Sequence, residues 1–284
     1  MDSPTEHLPT ETGTNVEPRR IALGVQYDGS SWNGWQTQPD GKTVQDVLQQ
    51  ALEKFSQQRL QVVCAGRTDA GVHALEQVVH FDAAIERDMF SWVRGVNTHL
   101  PPSIVLRWAS EVMRGPSMAD DDAFHARFSA RSRTYHYVLY NHKVRSPLLR
   151  NRAGWVFGPL DVERMQEAAQ CLLGMHDFSA FRSVHCQAKT PVKEMQQVSI
   201  VRRGDVILFT LRASAFLHHM VRNIVGSLNF VGAGKRDAAW MQELLESGDR
   251  QRAAPTFSPD GLYLAKVDYD AKWHLPQEDT TWPW

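Results

Sequence analysis

The most constraining feature of this sequence is one order of predicted elements that occurs twice along the chain. The first half has an alternating strand at 21–27, a helix from Thr43, strands at 61–65 and 77–81, a helix at 88–98 and a strand at 104–108. The second half has a strand at 133–140, a helix from Asp161, a hairpin of 197–202 and 206–213, helices at 217–231 and 238–246, and a strand at 262–269. Each half therefore reads strand, helix, strand, strand, helix, strand.

This duplication predicts an α+β fold of two tandem β-α-β-β-α-β halves. Each half is of the split-βαβ, RRM-like type with an antiparallel sheet, and an active-site cleft is expected between the halves. The predicted domains are 19–123 and 124–273, flanked by a disordered tail at 1–18 and a C-terminal tail at 274–284. A dinucleotide-binding fold is excluded because no G-x-G-x-x-G follows the first strand.

Composition narrows the class of protein further. The formal net charge of −1 excludes a uniformly basic nucleic-acid protein, although not a locally basic surface. Charged residues interrupt each apolar stretch before it reaches the roughly 18 residues of a membrane helix, so no membrane association is expected. The three cysteines, Cys64, Cys171 and Cys186, are an odd and sparse set, which favours reduced thiols in a cytoplasmic protein.

A basic segment stands out within this neutral chain. Residues 123–152 contain no acidic residue, and cationic side chains alternate there with Phe and Tyr rings. Such a pattern suits RNA, because cations bind phosphates and rings stack on bases, but a solvated, charged strand edge explains it equally well. On the RNA interpretation, Arg127, Arg131 and Arg133 are the candidate phosphate contacts.

The turn after the second predicted strand carries the best catalytic candidate. Gly66 and Gly71 bracket Arg67, Thr68 and Asp69, which the turn presents at a strand end. A carboxylate held there can act as a nucleophile or as a general base. Asp-Ala-Gly is also a common turn signal, so a purely structural role is the alternative.

Arg222 is notable because it is the only formally charged residue between Arg212 and Lys235. The predicted helix around it is strongly apolar, and an unpaired buried charge costs several kcal/mol. We therefore expect an anionic partner for Arg222. Asp69 is the first candidate, and a phosphate of bound RNA is the second.

Several motifs together resemble the TruA family of tRNA pseudouridine synthases. They are Tyr27-Asp28-Gly29, Gly34-Trp35-Gln36, Ala65-Gly66-Arg67-Thr68-Asp69-Ala70-Gly71-Val72-His73-Ala74, Gly95-Val96-Asn97, Phe124-His125-Ala126-Arg127-Phe128-Ser129-Ala130, Arg133-Thr134-Tyr135-His136-Tyr137, His218-His219-Met220-Val221-Arg222-Asn223-Ile224-Val225-Gly226 and Gly261-Leu262-Tyr263-Leu264. They extend from about residue 20 to about residue 270.

The resemblance implies an enzyme that isomerises uridine to pseudouridine at positions 38, 39 and 40, in the anticodon stem-loop of tRNA. It implies a homodimer that uses no cofactor, including no nucleotide cofactor. By the same resemblance, Asp69 is the catalytic aspartate and Tyr135 stacks on the target base. Arg67 assists extrusion of the base, for which a simple phosphate contact is the alternative, and Arg222 pairs with Asp69.

The residues themselves leave two other classes of function open. A non-catalytic RNA-binding module would explain the basic segment but not Asp69 or Arg222. A nucleoside hydrolase would need a second carboxylate close to the first, and none is near in sequence. No metal site is predicted, because neighbouring His218 and His219 would diverge on a helix and no zinc motif occurs.

Overall fold

The first half of the chain forms the predicted elements in the predicted order. The computed structural model describes residues 17–114 and 123–277, so most of the predicted N-terminal tail, the loop 115–122 and the end of the C-terminal tail lie outside the described residues. The first elements are β1 (Arg19–Tyr27), α1 (Val44–Ser56), β2 (Val63–Cys64), β3 (His73–Ala83), α2 (Met89–Asn97) and β4 (Ile104–Val112). Thr43 caps α1, since its side-chain oxygen accepts a hydrogen bond from the Asp46 N–H at 3.3 Å.

The second half has the predicted elements and two additional short strands. It contains β5 (Ala130–Asn141), β6 (Gly154–Val156), α3 (Val162–Ala169), β7 (Gly174–Asp177), β8 (Val192–Arg203), β9 (Val206–Ala213), α4 (Met220–Gly232), α5 (Ala239–Ser247) and β10 (Leu262–Tyr269). The helix predicted from residue 217 begins only at Met220, because His219 adopts a left-handed backbone with φ of 63°. Within the described ranges, no helix is both long and apolar enough to cross a membrane.

Within the described residues, all ten strands belong to one open sheet, so the antiparallel sheets expected for the two halves are continuous with each other. The main path runs β4-β1-β3-β10-β5-β9-β8-β7, with β2 paired to β3 and β6 paired to β5. The halves join through β3 and β10, where His73 and Ala74 pair in parallel with Tyr263 and Leu264. This edge is available because β2 pairs only with the later part of β3, at Val79 and His80.

The register of the central strands positions the candidate residues. Tyr135 and Tyr137 of β5 lie opposite Leu264 and Leu262 of β10, so all four side chains share one face of the sheet. Tyr137 contacts the ring of Phe257 on this face, at 5.6 Å between centroids. The segment that carries Phe257 packs closely on α4, and the face of Tyr135 is therefore the α4 side.

Gly226 explains how closely that segment approaches α4. A Cβ atom at Gly226 would lie only 2.6 Å from the carbonyl oxygen of Pro255, so a larger residue would push the segment away. Arg222 lies one turn earlier on the same helix, and its carbonyl accepts a hydrogen bond from the Phe257 N–H at 3.3 Å. The helix and the segment thus form one support for the Arg222 side chain.

Candidate active site

The turn between β2 and β3 is held in place by the segment that precedes α1. The Trp35 N–H donates to the Thr68 carbonyl at 3.0 Å, and the Gly71 N–H donates to the Trp32 carbonyl at 3.3 Å. Gly71 has φ of +79°, a conformation that residues with a side chain adopt only at a cost. These constraints fix the turn and leave the Asp69 side chain at the junction of the two halves.

Asp69 of the first half forms an ion pair with Arg222 of the second half. The Arg222 Nη1 lies 2.8 Å from Asp69 Oδ2, and the Arg222 Nε donates to the Phe257 carbonyl oxygen at 2.8 Å. The side chains of Arg222 and Asp69 are 13% and 21% exposed, so the pair is largely removed from water. Of the two partners expected for Arg222, the structure therefore has the carboxylate in place.

Both histidines before α4 also approach Asp69, which sequence reasoning missed. His218 Nε2 lies 3.2 Å from Oδ1 and His219 Nε2 lies 3.4 Å from Oδ2, while the two ring centroids are 4.0 Å apart. The expected divergence of the rings is wrong because these residues form a turn rather than part of the helix. The left-handed backbone of His219 turns both rings towards the carboxylate.

The electrostatics of this cluster follow from burial and from three neighbouring positive or potentially positive groups. Burial is the main cause that lowers the pKa of His219, and His218, Arg222 and Arg250 act in the same direction. Asp69 opposes this shift by favouring a protonated imidazole. The predominant state near neutral pH thus has a neutral His219 beside the Asp69–Arg222 pair.

The two tyrosines of β5 differ in the surroundings of their hydroxyl groups. The Tyr137 hydroxyl is buried and donates to the Ser258 carbonyl oxygen at 2.9 Å. The Tyr135 hydroxyl makes no hydrogen bond to any residue that the structure describes, and a Cβ atom on Gly66 would lie 4.0 Å from it. Burial, followed by the charge of Asp69, raises the pKa of Tyr135, so its hydroxyl remains protonated near neutral pH and has a proton to donate.

Arg67 lies at the exposed edge of the same turn. Its Nη1 is 3.4 Å from the Oε1 atom of Gln187, in the loop that leads to β8, so the turn of the first half touches the second half here as well. The contact is long and exposed, and it holds the guanidinium only weakly. Gln187 was not among the predicted residues, and nothing in its local sequence marks it.

The three arginines predicted to contact phosphate are in different environments. Arg127 is exposed, and Arg131 is exposed apart from an ion pair with Asp270. Arg133 is only 8% exposed, and its guanidinium donates to four backbone carbonyls, those of Ala65, Arg127, Ala130 and Ser214. The phosphate assignment of Arg133 is therefore corrected: its charge is buried and its donors are used within the protein.

The arrangement has the chemical capacities of a nucleophilic carboxylate site. One oxygen of Asp69 is bound to Arg222, and the Asp69 side chain is partly open to solvent. The Tyr135 side chain lies on the α4 side of the sheet, and its hydroxyl makes no hydrogen bond within the described residues. Asp69, His218 and His219 are also the one group within the described residues whose ligand atoms, all within 4.8 Å of one another, suit a metal ion.

Comparisons with known proteins identify the family of this chain. The family described as tRNA pseudouridine synthase matches residues 24–114 and 168–270 of the chain. The chain is 66% identical over 269 residues to a tRNA pseudouridine synthase A from Herminiimonas arsenicoxydans, covering 95% of this chain and 96% of that protein. It is 68% identical over 263 residues to one from Janthinobacterium sp. (strain Marseille), covering 93% and 96%. A Paraburkholderia phymatum protein with the same name is 58% identical over 257 residues, covering 90% and 93%.

Proposed function

Because this chain belongs to the tRNA pseudouridine synthase family and isomerises uridine in tRNA, we propose that its targets are positions 38, 39 and 40 of the anticodon stem-loop. The proposal for these positions extends the family resemblance, and tRNA as the substrate points to action in the cytoplasm.

We also infer that the ranges 19–123 and 124–273 are two split-βαβ repeats. Support comes from their strand orders within the sheet, β4-β1-β3-β2 and β10-β5-β9-β8, which match element by element.

Asp69 is the proposed nucleophile, and its pairing with Arg222 is the observation that carries the proposal. The reaction breaks the bond from C1′ of the ribose to N1 of uracil, rotates the base, and joins C1′ to C5. The proton on C5 is lost and N1 gains one, so the balance involves no oxidation and no redox cofactor is proposed. An ionised carboxylate is the group required, and a guanidinium at 2.8 Å holds the Asp69 side chain in one orientation.

Tyr135 and Arg67 are the proposed contacts to the extruded base and its surroundings. Extrusion costs a few kcal/mol, which stacking on an aromatic ring offsets. Tyr135 lies on the same face as Asp69's partner helix, and its ring is held edge-on against Phe216 at 5.0 Å between centroids. Arg67 has a long, exposed and loosely held side chain at the edge of the site, which suits either the vacated position or an adjacent phosphate.

The anticodon stem-loop is proposed to follow the exposed cations near the start of β5. Arg127 and Arg131 remain candidates for phosphate contacts, and Arg127 lies over the ring of Phe128, which is itself strongly exposed. A cation and a ring side by side offer a phosphate contact and a stacking plane together. Arg133 has no part in this surface.

We further infer a homodimer, formed through the face of the sheet opposite Tyr135. Val138, Ala153 and Tyr263 form a small apolar cluster there, separate from the main core. Around this cluster the side chains of Tyr140, Val206 and Leu208 are half-buried, and Val201 of β8, two strands away from β5, is 46% exposed. A second copy of the chain would cover this apolar surface, and sedimentation equilibrium tests it by giving either twice the mass of 32.2 kDa or the monomer mass.

The test of the proposed function is incubation with unmodified tRNA followed by mapping of pseudouridine at single-nucleotide resolution. The expected products carry pseudouridine at 38, 39 or 40 wherever the transcript has uridine there. Pseudouridine confined to other positions would overturn the assignment of the anticodon stem-loop. An RNA-binding module would give binding without product, and a hydrolase would release free uracil.

A further inference from the structure

The side chains of His218 and His219 converge on one carboxylate, although they are neighbours in sequence. Sequence neighbours in a helix point about 100° apart, so the convergence requires the left-handed backbone of His219 at φ of 63°. A non-glycine residue in that conformation is uncommon and, in known proteins, is concentrated at functional sites. The structure therefore brings two imidazole nitrogens to Asp69 at a cost in backbone energy.

Two distances within this cluster match the separation of neighbouring ligands in a metal coordination shell, and all its candidate ligand atoms lie within 4.8 Å of one another. Nitrogen and oxygen ligands that bind zinc tetrahedrally at about 2.0–2.1 Å lie about 3.3–3.4 Å from each other. His218 Nε2 lies 3.2 Å from Asp69 Oδ1, and His219 Nε2 lies 3.4 Å from Oδ2. Two imidazoles and one carboxylate are also a ligand set that borderline divalent metals bind readily.

Arg222 does not prevent such coordination. Its guanidinium donates to Asp69 Oδ2 at 2.8 Å, while Oδ1 faces His218. Carboxylates that bind metals are themselves commonly hydrogen-bonded through groups outside the coordination shell, which fixes their orientation. The positive charge of Arg222 nevertheless weakens the attraction of a dication, so we expect moderate rather than tight affinity.

We propose that Asp69, His218 and His219 bind a divalent transition-metal ion of the zinc type, and that the bound ion inhibits the isomerase by occupying the carboxylate. The inhibition rests on the proposed role of Asp69 as nucleophile. The ion is not a cofactor: the reaction requires a free carboxylate oxygen, and a metal on Asp69 removes that oxygen from the reaction. The open side of the shell faces solvent, since the His218 side chain is 37% exposed, so the ion can enter and leave.

The decisive measurement uses Co²⁺ as a spectroscopic probe on the full chain without tRNA, because tRNA itself binds divalent ions. The visible absorption of Co²⁺ should intensify on binding to the metal-free protein, and Zn²⁺ should displace it. His219→Asn should weaken Co²⁺ affinity at least tenfold, since asparagine tolerates the left-handed backbone but lacks the imidazole. The matched control, His99→Gln, alters an exposed histidine of the first half and should leave affinity unchanged.

Three results would overturn the proposal. The first is the absence of any saturable Co²⁺ signal, and the second is equal affinity in the wild type and His219→Asn. The third is a sulfur-to-cobalt charge-transfer band in the near ultraviolet, which would assign the ion to a thiol. Cys186 is the nearby thiol, since its Sγ accepts a hydrogen bond from the backbone N–H of His218 at 3.4 Å. A parallel assay should show that Zn²⁺ slows pseudouridine formation and that EDTA restores it.

These outcomes separate the metal site from the proposed function. If Asp69→Asn abolishes turnover but the protein binds no Co²⁺, only the metal site fails. If Co²⁺ binds as expected but Asp69→Asn still turns over at the wild-type rate, the assignment of the nucleophile fails and the metal site stands. Zn²⁺ that binds to the three residues without slowing the reaction would overturn the inhibitory role.

Discussion

Removing the hydroxyl of Tyr135 should lower turnover and leave stability nearly unchanged, whereas removing the hydroxyl of Tyr137 should lower stability and leave turnover nearly unchanged. Both rings lie on the α4 side of β5, two residues apart, and both are buried. Their hydroxyl groups differ, because Tyr137 donates to the Ser258 carbonyl at 2.9 Å and Tyr135 has no hydrogen-bond partner among the described residues. Tyr→Phe at each position therefore makes the same chemical change in two different surroundings.

The structure sets the size of each effect. Tyr137→Phe leaves the part-buried Ser258 carbonyl without its donor, which should lower the free energy of unfolding by about 1–2 kcal/mol. Tyr135→Phe removes no protein hydrogen bond and should change that free energy by less than about 0.5 kcal/mol. A hydroxyl that positions or donates a proton in the reaction contributes about 100-fold or more, so Tyr135→Phe should lower turnover by that factor.

The assay combines urea unfolding with single-turnover pseudouridine formation at saturating tRNA, and binding is measured separately. Tyr135→Phe should bind tRNA normally because its ring keeps the stacking, whereas Tyr135→Ala should also bind more weakly, by about 1–3 kcal/mol. Tyr137→Phe should turn over at nearly the wild-type rate. If Tyr137→Phe abolishes turnover while Tyr135→Phe is fully active, the assignment of the two tyrosines on β5 is wrong.

Three further predictions concern the ion pair, the RNA surface and the buried histidine. Arg222→Gln should lower single-turnover rates at least tenfold, since it removes the cation 2.8 Å from Asp69; an unchanged rate would contradict that role. The affinity for tRNA should fall steeply as the salt concentration rises. Arg127→Ala should reduce the magnitude of the slope of log affinity against log salt by about 0.7–0.9, for one lost phosphate contact. The same slope in Arg127→Ala and the wild type would exclude Arg127 as a phosphate contact. Burial lowers the pKa of His80 to about 3, so on acidification the unfolded state takes up a proton before the folded state does. The free energy of unfolding should therefore fall as pH drops below about 6.5, by about 2 kcal/mol at pH 5. His80→Gln should make the free energy of unfolding, measured by urea titration at each pH, less dependent on pH.

The order of elements and the central ion pair were predictable from sequence for clear physical reasons. Apolar periodicity and the caps at Thr43 and Asp161 define helices locally, and the structure has both caps. The Asp69–Arg222 pair was predictable because a lone cation in an apolar helix needs an anion, and few carboxylates stand in conspicuous turns. Both signals depend on local sequence plus one general rule of burial.

The remaining features depend on contacts that no local pattern encodes. The convergence of His218 and His219 follows from one left-handed residue just before α4, at a position where the apolar periodicity predicts a helix. Arg133 resembles its exposed neighbours in sequence, yet its guanidinium is bound by carbonyls from distant segments, including that of Ala65. The single sheet likewise arises from a pairing between β3 and β10 that lies far apart in the chain.

The most direct test of the central claim is pseudouridine formation by Asp69→Asn under single-turnover conditions. The amide keeps the shape of the side chain but cannot act as nucleophile or base, so product should be undetectable while tRNA affinity stays within a few fold. Asp205→Asn makes the same chemical change in an exposed turn between β8 and β9 and should react like the wild type. Product formation by Asp69→Asn at a rate near that of Asp205→Asn would contradict the account.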